Sequence, residues 1–343
     1  MRSVSLRYGP NRTNSLRFRK VMMRAVLMRE FGPPDVLQPA ESPGPETGEL
    51  DVVVNVEIAN ITFVDTQIRA GRPPNPAMTP VLPTILGNGV GGFVASAGPK
   101  VGNDLIGRRV VTSLGGSGGY AELAVAPANR IVAIPDGVSM RDAVALLADG
   151  RTALSLLRIA RVSQGETVLV EAAAGGVGTL LVQLAGNLGA RVVAVAGGER
   201  KLALARELGA DVTIDYLDDR WAQRVRDAVG SVDVVFDGVG GAIGASAFGL
   251  LHAGGRFCPF GMASGRFTPI SAQDVDAGGV TVLRGAAPSS EELVALTRDV
   301  LLQAAAGRVR PVVGQQFVLE DAAAAHAAIE ARTTLGKTLL VVR

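Results

Sequence analysis

Residues 167–198 constrain the fold of this chain more than any other stretch. They open with a β-branched run, Val168-Leu169-Val170, typical of a strand buried on both faces. The turn Ala172-x-x-Gly175-x-x-Gly178 follows, then apolar residues at helical spacing as far as Gly189, then a second apolar run over 192–196. Strand, glycine turn, helix and strand within roughly 30 residues predict one βαβ unit with a phosphate-binding turn at its first crossing.

Gly175 and Gly178 have a physical role in that unit. The turn must be tight, a pyrophosphate must reach backbone N–H groups, and the positive end of the following helix must face the phosphates. The alternative is a tight βα turn that binds nothing. The complete unit favours the phosphate site.

A second glycine cluster, Gly87-x-Gly89-x-x-Gly92, fits the dinucleotide fingerprint more literally. Its sequel, residues 93–96, is strand-like and leads to Gly98-Pro99, so no helix N-terminus would receive a phosphate. This cluster is therefore interpreted as barrel backbone.

The chain before the βαβ unit has a different pattern. Residues 23–135 alternate short β-like runs with glycine and proline, which predicts a small, largely antiparallel barrel. Ser139-x-x-Asp142 predicts a helix start, and residues 149–153 are expected to interrupt that helix. Residues 1–22 are predicted to be a disordered extension, with a transit peptide as the alternative.

From residue 167 the sequence predicts a doubly wound, six-stranded parallel sheet of Rossmann type. The expected strands are 167–172, 191–196, 212–214, 232–237, 255–261 and 279–284, and the tail should form a helix at 291–306, a strand at 315–318, a helix at 321–330 and a strand at 337–342. The tail is expected to return to the barrel. The predicted domains are thus a barrel domain at 23–145 and 289–343, and a Rossmann domain at 146–288.

Charge and cysteine content limit the possible binding partners and the cellular compartment of the protein. Residues 1–22 are basic without an acid, whereas residues 23–343 carry 28 basic and 32 acidic residues, which argues against nucleic acid as a partner. The single cysteine, Cys258, excludes internal disulfides and indicates a reducing, cytoplasmic setting. No apolar stretch reaches the roughly 18 residues of a membrane span.

The end of the second predicted strand bears on the choice of nicotinamide cofactor. NAD-specific sites usually place a carboxylate there, but this chain has Ala196-Gly197-Gly198. Arg200 and Lys201 follow and would pair with a 2′-phosphate, while Glu199, if turned inward, would oppose it. The alternative is a solvated first turn of a helix. The sequence favours NADP(H).

The residues that could bind a metal are few. Only Cys258, His252 and His326 supply nitrogen or sulfur ligands. We expect Cys258 in a buried strand, His252 at a helix end before Gly254-Gly255, and His326 in an alanine-rich helix. No nucleophile–base pair stands out either. Metal-free hydride transfer, in which the protein aligns a cofactor, is the remaining chemistry.

From residue 23 to the end, the chain resembles the zinc-independent quinone oxidoreductases (zeta-crystallin type) of the medium-chain dehydrogenase/reductase superfamily. The resemblance is carried by MRAVLMREFGPPDVL, FVDTQIRAG, GYAELAVAPANRIVAIPDGVS, DGRTAL, VLVEAAAGGVGTLLVQLA, ELGADVTIDY, VDVVFDGVGG and LGKTLLVV. It implies a GroES-like barrel beside a Rossmann domain, NADPH in the cleft between them, and a homodimer through the last sheet strand, near Val280–Val282.

The resemblance also implies site residues. Gly175, Gly176 and Val177 would meet the pyrophosphate, Lys201, Tyr216 and Arg332 the adenosine phosphate, and Gly150, Thr152, Phe260 and Gly261 the nicotinamide. The predicted cofactor site also includes Ala174, Gly178, Gly197, Gly198, Arg200 and Val239. Asp65 matches a barrel-loop aspartate at the cleft. Each of these positions has ordinary packing as its alternative.

The differences from the family fall on the substrate side. Thr62 stands where asparagine is usual, Gln67 where tyrosine is frequent, Gly89 where an acid is common, and Arg151 where the residue is usually apolar. Thr62 and Gln67 are candidates for binding the substrate carbonyl, a quinone or an α,β-unsaturated ketone. The alternatives are an enoyl reductase of a biosynthetic pathway and a non-catalytic protein that binds NADPH or RNA.

Overall fold

The structure is a computed structural model that describes residues 22–285 and 288–343. The prediction for the N-terminal extension therefore lies almost wholly outside the described residues. Described elements begin with a strand at Met22.

From residue 167 onward the strands and helices follow the order expected from the sequence, whereas the helix at Phe63–Arg69 was not predicted. The strands are β1 (Met22–Met28), β2 (Leu37–Pro43), β3 (Asp51–Ile61), β4 (Thr84–Ile85), β5 (Gly89–Ala97), β6 (Arg109–Ser113), β7 (Leu123–Pro127), β8 (Val132–Ala133), β9 (Thr167–Val170), β10 (Arg191–Ala196), β11 (Val212–Asp215), β12 (Val232–Asp237), β13 (Leu251–Pro259), β14 (Thr281–Val282), β15 (Gln315–Val318) and β16 (Thr338–Val341). The helices are α1 (Phe63–Arg69), α2 (Met140–Ala160), α3 (Gly176–Asn187), α4 (Glu199–Glu207), α5 (Trp221–Val229), α6 (Gly241–Phe248), α7 (Ala272–Gly278), α8 (Ser290–Ala305) and α9 (Ala322–Glu330).

The N-terminal part and the tail build the barrel domain. Its larger sheet runs β15-β16-β3-β5-β6-β8, with β7 also on β3, and a smaller sheet runs β2-β1-β4. Every pairing is antiparallel except β15 with β16. The chain therefore returns to the barrel through β16, as predicted. The cluster at 87–92 leads into strand β5, which confirms its interpretation as barrel backbone.

The middle of the chain forms the predicted Rossmann sheet. Its strand order is β11-β10-β9-β12-β13-β14, and every pair is parallel. Residues such as Leu169, Val193 and Val235 are buried because helices cover both faces. The order reverses between β9 and β12, and ligands of open α/β sheets bind outside the strand ends at such a switch point.

Two local predictions were wrong. His252 lies on strand β13, which starts at Leu251, and not at a helix end. Helix α2 is not interrupted at 149–153 but continues from Met140 to Ala160. Its glycine, Gly150, lies against Val300 of α8, so close that a Cβ would be 2.8 Å from the Val300 side chain. Close helix packing therefore outweighs the low helix propensity of glycine.

The exact domain boundaries at 145/146 and 288/289 stay a prediction. Helix α2 crosses the first of them, and α8, which follows the second, packs on α2. Across the described residues, none of the helices combines the length and apolar character that a membrane crossing requires.

Candidate functional site

A cleft of about 970 Å³ separates the carboxyl ends of the parallel strands from the barrel. The sequence-predicted residues that line it are Thr62, Asp65, Gln67, Thr152, Ala174, Gly175, Gly176, Val177, Gly178, Lys201, Tyr216, Val239, Phe260, Gly261 and Arg332. Gly150, Gly197, Gly198 and Arg200 do not line it. The two domains thus bring together most of the residues that the sequence singled out.

The turn between β9 and α3 forms one wall of the cleft. Ala172 adopts a left-handed conformation with φ of 46°, and its carbonyl accepts a hydrogen bond from the Gly175 amide at 2.8 Å. A Cβ at Gly178 would lie 2.3 Å from that carbonyl oxygen. Only glycine fits there, so the turn packs closely on the start of α3, whose first residues line the cleft. The N-terminal end of a helix favours a negatively charged group.

Two cations stand at the far end of the same wall. The Lys201 ammonium donates to the Arg332 carbonyl at 2.9 Å, and the Arg332 guanidinium donates to the Ala263 carbonyl at 2.8 Å. Burial and then the charges of Arg332 and Arg200 lower the pKa of Lys201. Half-buried Tyr216 lies beside them, and burial raises its pKa. Adjacent cations of this kind would be stabilised by a phosphate.

The other predicted residues around the end of β10 lie outside the cleft. Glu199, the expected opponent of a phosphate, forms an ion pair with Arg206, and its side chain is 75% exposed. Arg200 is exposed to solvent outside the cleft. Gly197 lies behind the Tyr216 ring, and the Gly198 amide donates to Asp215. These two glycines therefore shape the turn and do not line the cleft.

The base of the cleft holds an ion pair that the sequence did not predict. Lys337, just before β16, donates to Asp149 of α2 at 2.9 Å, and both side chains are largely buried. A Cβ on Gly176 would lie 1.9 Å from the other carboxylate oxygen of Asp149. The only sequence signal was Lys337 within LGKTLLVV, because its partner is 188 residues away.

On the barrel side, Thr62 and Asp65 engage each other. The Thr62 hydroxyl donates to Asp65 Oδ2 at 2.8 Å, and the Thr62 amide donates to the same oxygen at 2.7 Å, which caps helix α1. Burial raises the pKa of Asp65. The hydroxyl hydrogen of Thr62 is thus already used in this arrangement. Gln67 donates from its amide to the Thr66 hydroxyl at 3.2 Å.

The strand ends at the centre of the cleft are held by backbone hydrogen bonds. The amides of Phe260 and Gly261 both donate to the Asp237 carbonyl, at 2.9 and 3.1 Å. The Val239 amide donates to the carboxylates of Asp237 and Glu171, each at 3.1 Å. Burial and the neighbouring Asp237 raise the pKa of Glu171 well above its usual range.

Helix α2 contributes Thr152 and Arg151 to the lining. The Thr152 hydroxyl donates to the Ala148 carbonyl at 3.0 Å. Arg151 donates to the Ser113 hydroxyl at 3.0 Å, and burial lowers its pKa to about 10. Asn60 also lines the cleft, and its buried side-chain amide has no hydrogen-bond partner among the residues that the structure describes. No sequence pattern marked Asn60.

The candidate metal ligands lie apart from one another. Cys258 is buried in β13, and burial raises its pKa to about 12. His252 bonds to Asp233 at 2.8 Å, and His326 is buried against the Tyr120 hydroxyl at 3.0 Å. In the part of the chain that the structure describes, no three His, Cys, Asp or Glu residues group as metal ligands.

Comparisons with known proteins agree with this geometry. Residues 48–136 match the family model described as an alcohol dehydrogenase GroES-like domain, and residues 176–300 match the model described as a zinc-binding dehydrogenase. A quinone oxidoreductase of Pseudomonas aeruginosa is 33% identical over 93% of this chain and all of its own length. A 2-haloacrylate reductase of Burkholderia is 31% identical over 94% of this chain and 99% of its own length.

A solved structure is similar throughout. The structure of Escherichia coli quinone oxidoreductase complexed with NADPH has a TM-score of 0.86 and 30% identity, and covers 93% of this chain and 100% of its own. Sequence, domain models and fold thus coincide over nearly the full length. The chain belongs to the quinone oxidoreductases of the medium-chain dehydrogenase/reductase superfamily.

Proposed function

We propose that this protein is an NADPH-dependent reductase that acts, without a metal, on a quinone or an α,β-unsaturated carbonyl compound. The observation that carries the proposal is the pairing of the amide-lined turn at Gly175–Gly178 with the adjacent cations Lys201 and Arg332 along one wall of the cleft. The P. aeruginosa relative, which is named a quinone oxidoreductase, supports the proposal. The E. coli structure, a quinone oxidoreductase complexed with NADPH, supports it as well.

The chain's residues fit the cofactor. Gly176 and Gly178 lack the Cβ that would collide with Asp149 and with the Ala172 carbonyl, so the turn packs closely and its backbone amides can meet a pyrophosphate. Lys201, Arg332 and Tyr216 would hold the adenosine 2′-phosphate. When bound, NADPH supplies a hydride, and a proton from water completes the two-electron reduction of the substrate. Thr152, Phe260 and Gly261 would position the nicotinamide end.

Zinc does not fit the donor set. A catalytic zinc needs three protein ligands around one open position. Cys258 is buried in β13, His252 is exposed on the same strand, and His326 lies on α9; each histidine has its own hydrogen-bond partner. The reaction is therefore proposed to use hydrogen bonds and cationic side chains in place of a Lewis acid to stabilise negative charge on the substrate oxygen.

The Rossmann-sheet edge is the proposed dimer interface. Strand β14 ends the sheet, and Val280 and Val282 lie on or beside it. A second copy of the chain that paired there would satisfy the open backbone edge. Light scattering after size exclusion should give twice the monomer mass.

The test is NADPH oxidation followed at 340 nm over a panel of quinones and enones, with calorimetric titration of NADPH alongside. We expect turnover with at least one class, and loss of NADPH binding in Gly178→Asp, which places a carboxylate at the turn. The proposal fails if NADPH does not bind. Binding without turnover on any member of the panel would favour the non-catalytic alternative.

A second candidate is reduction of an acrylate-type acid, in which the double bond is conjugated to a carboxylate. The Burkholderia relative is named a 2-haloacrylate reductase. Arg151, a cation on the cleft wall, is the observation that favours this candidate. Including 2-chloroacrylate in the same panel distinguishes it from quinone reduction.

A further inference from the structure

Arg151, at the barrel end of the cleft, is a cation that forms no ion pair with any residue the structure describes. Within that part of the chain, its guanidinium hydrogen-bonds to the Ser113 hydroxyl, from Nη1 at 3.0 Å. The nearest acid along the helix, Asp149, is paired with Lys337. Among the described residues, no carboxylate lies within ion-pair distance of Arg151. A guanidinium has five N–H donors, so most of its capacity is unused.

The other basic side chains of this cleft have structural or cofactor roles. Lys337 neutralises Asp149, and Lys201 and Arg332 stand together at the far end, where the cofactor phosphate is proposed to bind. Arg72 is exposed at the rim. Arg151 is different because it is partly buried in the wall, its hydrogen bond among the described residues goes to the neutral Ser113 hydroxyl, and the acid whose charge acts on it, Asp149, is paired with Lys337.

The wall beside Arg151 has a second unused polar group. Ser113, which holds the guanidinium, pairs with Gly89 across strands β6 and β5. The Asn60 amide occupies the side of Gly89 where a side chain would project, 2.6 Å from the position of a Cβ. Asn60 is 1% exposed, and neither its amide nitrogen nor its oxygen has a hydrogen-bond partner within residues 22–285 and 288–343. Buried polar groups without partners are unusual and costly.

A desolvated guanidinium with free donors is matched by a carboxylate, which accepts two parallel N–H hydrogen bonds. A neutral quinone offers no such group. We propose that Arg151, oriented by Ser113, binds a carboxylate of the substrate, so that the preferred substrates are α,β-unsaturated carbonyl compounds bearing an anionic carboxyl group. This inference rests on the proposed reductase function and specifies the substrate class of the same cleft.

The test compares 4-oxopent-2-enoate with its methyl ester, which replaces the charged carboxylate by a neutral group one methyl larger. Wild-type enzyme should give a higher kcat/KM on the acid. Arg151→Gln should lower kcat/KM for the acid about 10- to 100-fold, the equivalent of about 1.4–2.8 kcal/mol. The same variant should change kcat/KM for the ester less than about twofold. Arg151→Lys keeps the charge but not the planar guanidinium, so its kcat/KM for the acid should lie between those of wild type and Arg151→Gln.

A matched control is available on the same helix. Arg158 is also on α2, but its guanidinium pairs with Asp299 at 2.6 Å outside the cleft. Arg158→Gln removes the same charge and should leave the acid-to-ester ratio unchanged. NADPH affinity should be the same in all three variants. A parallel drop for acid and ester in Arg151→Gln would overturn the inference, because it would indicate a packing role.

A binding measurement separates this inference from the proposed function. The saturated acid 4-oxopentanoate cannot be reduced at a double bond, and its affinity for the NADP⁺-loaded enzyme can be titrated calorimetrically. Binding that weakens in Arg151→Gln supports the carboxylate site even if no panel substrate turns over. Quinone turnover with no acid preference and no 4-oxopentanoate binding overturns the carboxylate site and leaves the reductase function intact.

Discussion

Lys337 Nζ lies 2.9 Å from Asp149 Oδ1, so the C-terminal segment is joined to helix α2 at the base of the cleft. The second oxygen of Asp149 lies beside Gly176 at the start of α3. This carboxylate of α2 therefore contacts two segments that are remote from it in sequence. Lys337 cancels a negative charge that would otherwise face the proposed pyrophosphate site.

Removal of Lys337 should affect both stability and cofactor binding. Lys337→Met leaves a buried carboxylate unpaired, which typically costs about 3–5 kcal/mol of unfolding free energy. Urea denaturation measures that loss, and calorimetry should show weaker NADPH binding. The double variant with Asp149→Asn should recover most of the stability. A double variant as unstable as the single one would contradict the ion-pair explanation.

Lys201 is expected to set the cofactor preference. Lys201→Gln removes a charge-assisted contact worth about 1.5–3 kcal/mol, so kcat/KM for NADPH should fall about 10- to 100-fold. The value for NADH should hardly change, because NADH lacks the 2′-phosphate. Arg224→Gln removes an exposed cation of the same domain, paired with Asp218 at 2.6 Å, and serves as the control. Equal losses of kcat/KM for NADPH and NADH would show that Lys201 does not bind the 2′-phosphate.

Gly89 is expected to tolerate no side chain while Asn60 stays in place. Gly89→Ala would bring a Cβ within 2.6–2.8 Å of the Asn60 amide atoms and should destabilise the fold by about 1–3 kcal/mol. Gly186→Ala, at an open position of helix α3, should instead be neutral or stabilising. Thermal unfolding measures both. Asn60→Ala combined with Gly89→Ala should restore stability, and failure to do so would locate the strain elsewhere.

Glu171 should make stability depend on pH. Its pKa in the folded protein is raised by burial and by Asp237, so the folded state holds its proton more strongly than the unfolded chain. The contribution of Glu171 to the free energy of unfolding is fully present below the pKa of glutamate in the unfolded chain, near 4.3. It is lost as the pH rises through the pKa of Glu171 in the folded protein, by at most about 1.4 kcal/mol per pH unit. Glu171→Gln should flatten that loss in urea titrations from pH 5 to 9. Glu291→Gln, an exposed change on α8, should not.

Local patterns predicted much of the fold because each element has its own periodicity. The β-branched run, the glycine turn and the helix over 167–189 required no distant partner to be identified, and the six parallel strands followed the same alternation. The local sequence also predicted the helix-capping role of Ser139, and its hydroxyl accepts a hydrogen bond from the Asp142 amide.

The errors arose where packing outweighed propensity. Gly150 looked like a helix break, yet α2 continues through it because α8 packs closely on that glycine. His252 before two glycines looked like a helix end, yet it lies on β13 and bonds to Asp233. In both cases the deciding partner lies outside the local window.

The amino-acid sequence alone determined the βαβ unit, the acid-free end of the second strand at Ala196-Gly197-Gly198, and the family of the chain, because these depend on local order and residue type. Only the tertiary structure decided that Lys337 reaches Asp149, that Glu199 turns to Arg206, and that Arg151 stands in the cleft wall without an anionic partner among the described residues. Such pairings depend on which remote side chains the packed domains bring within a few ångströms, where desolvation makes each charge strongly dependent on its partner.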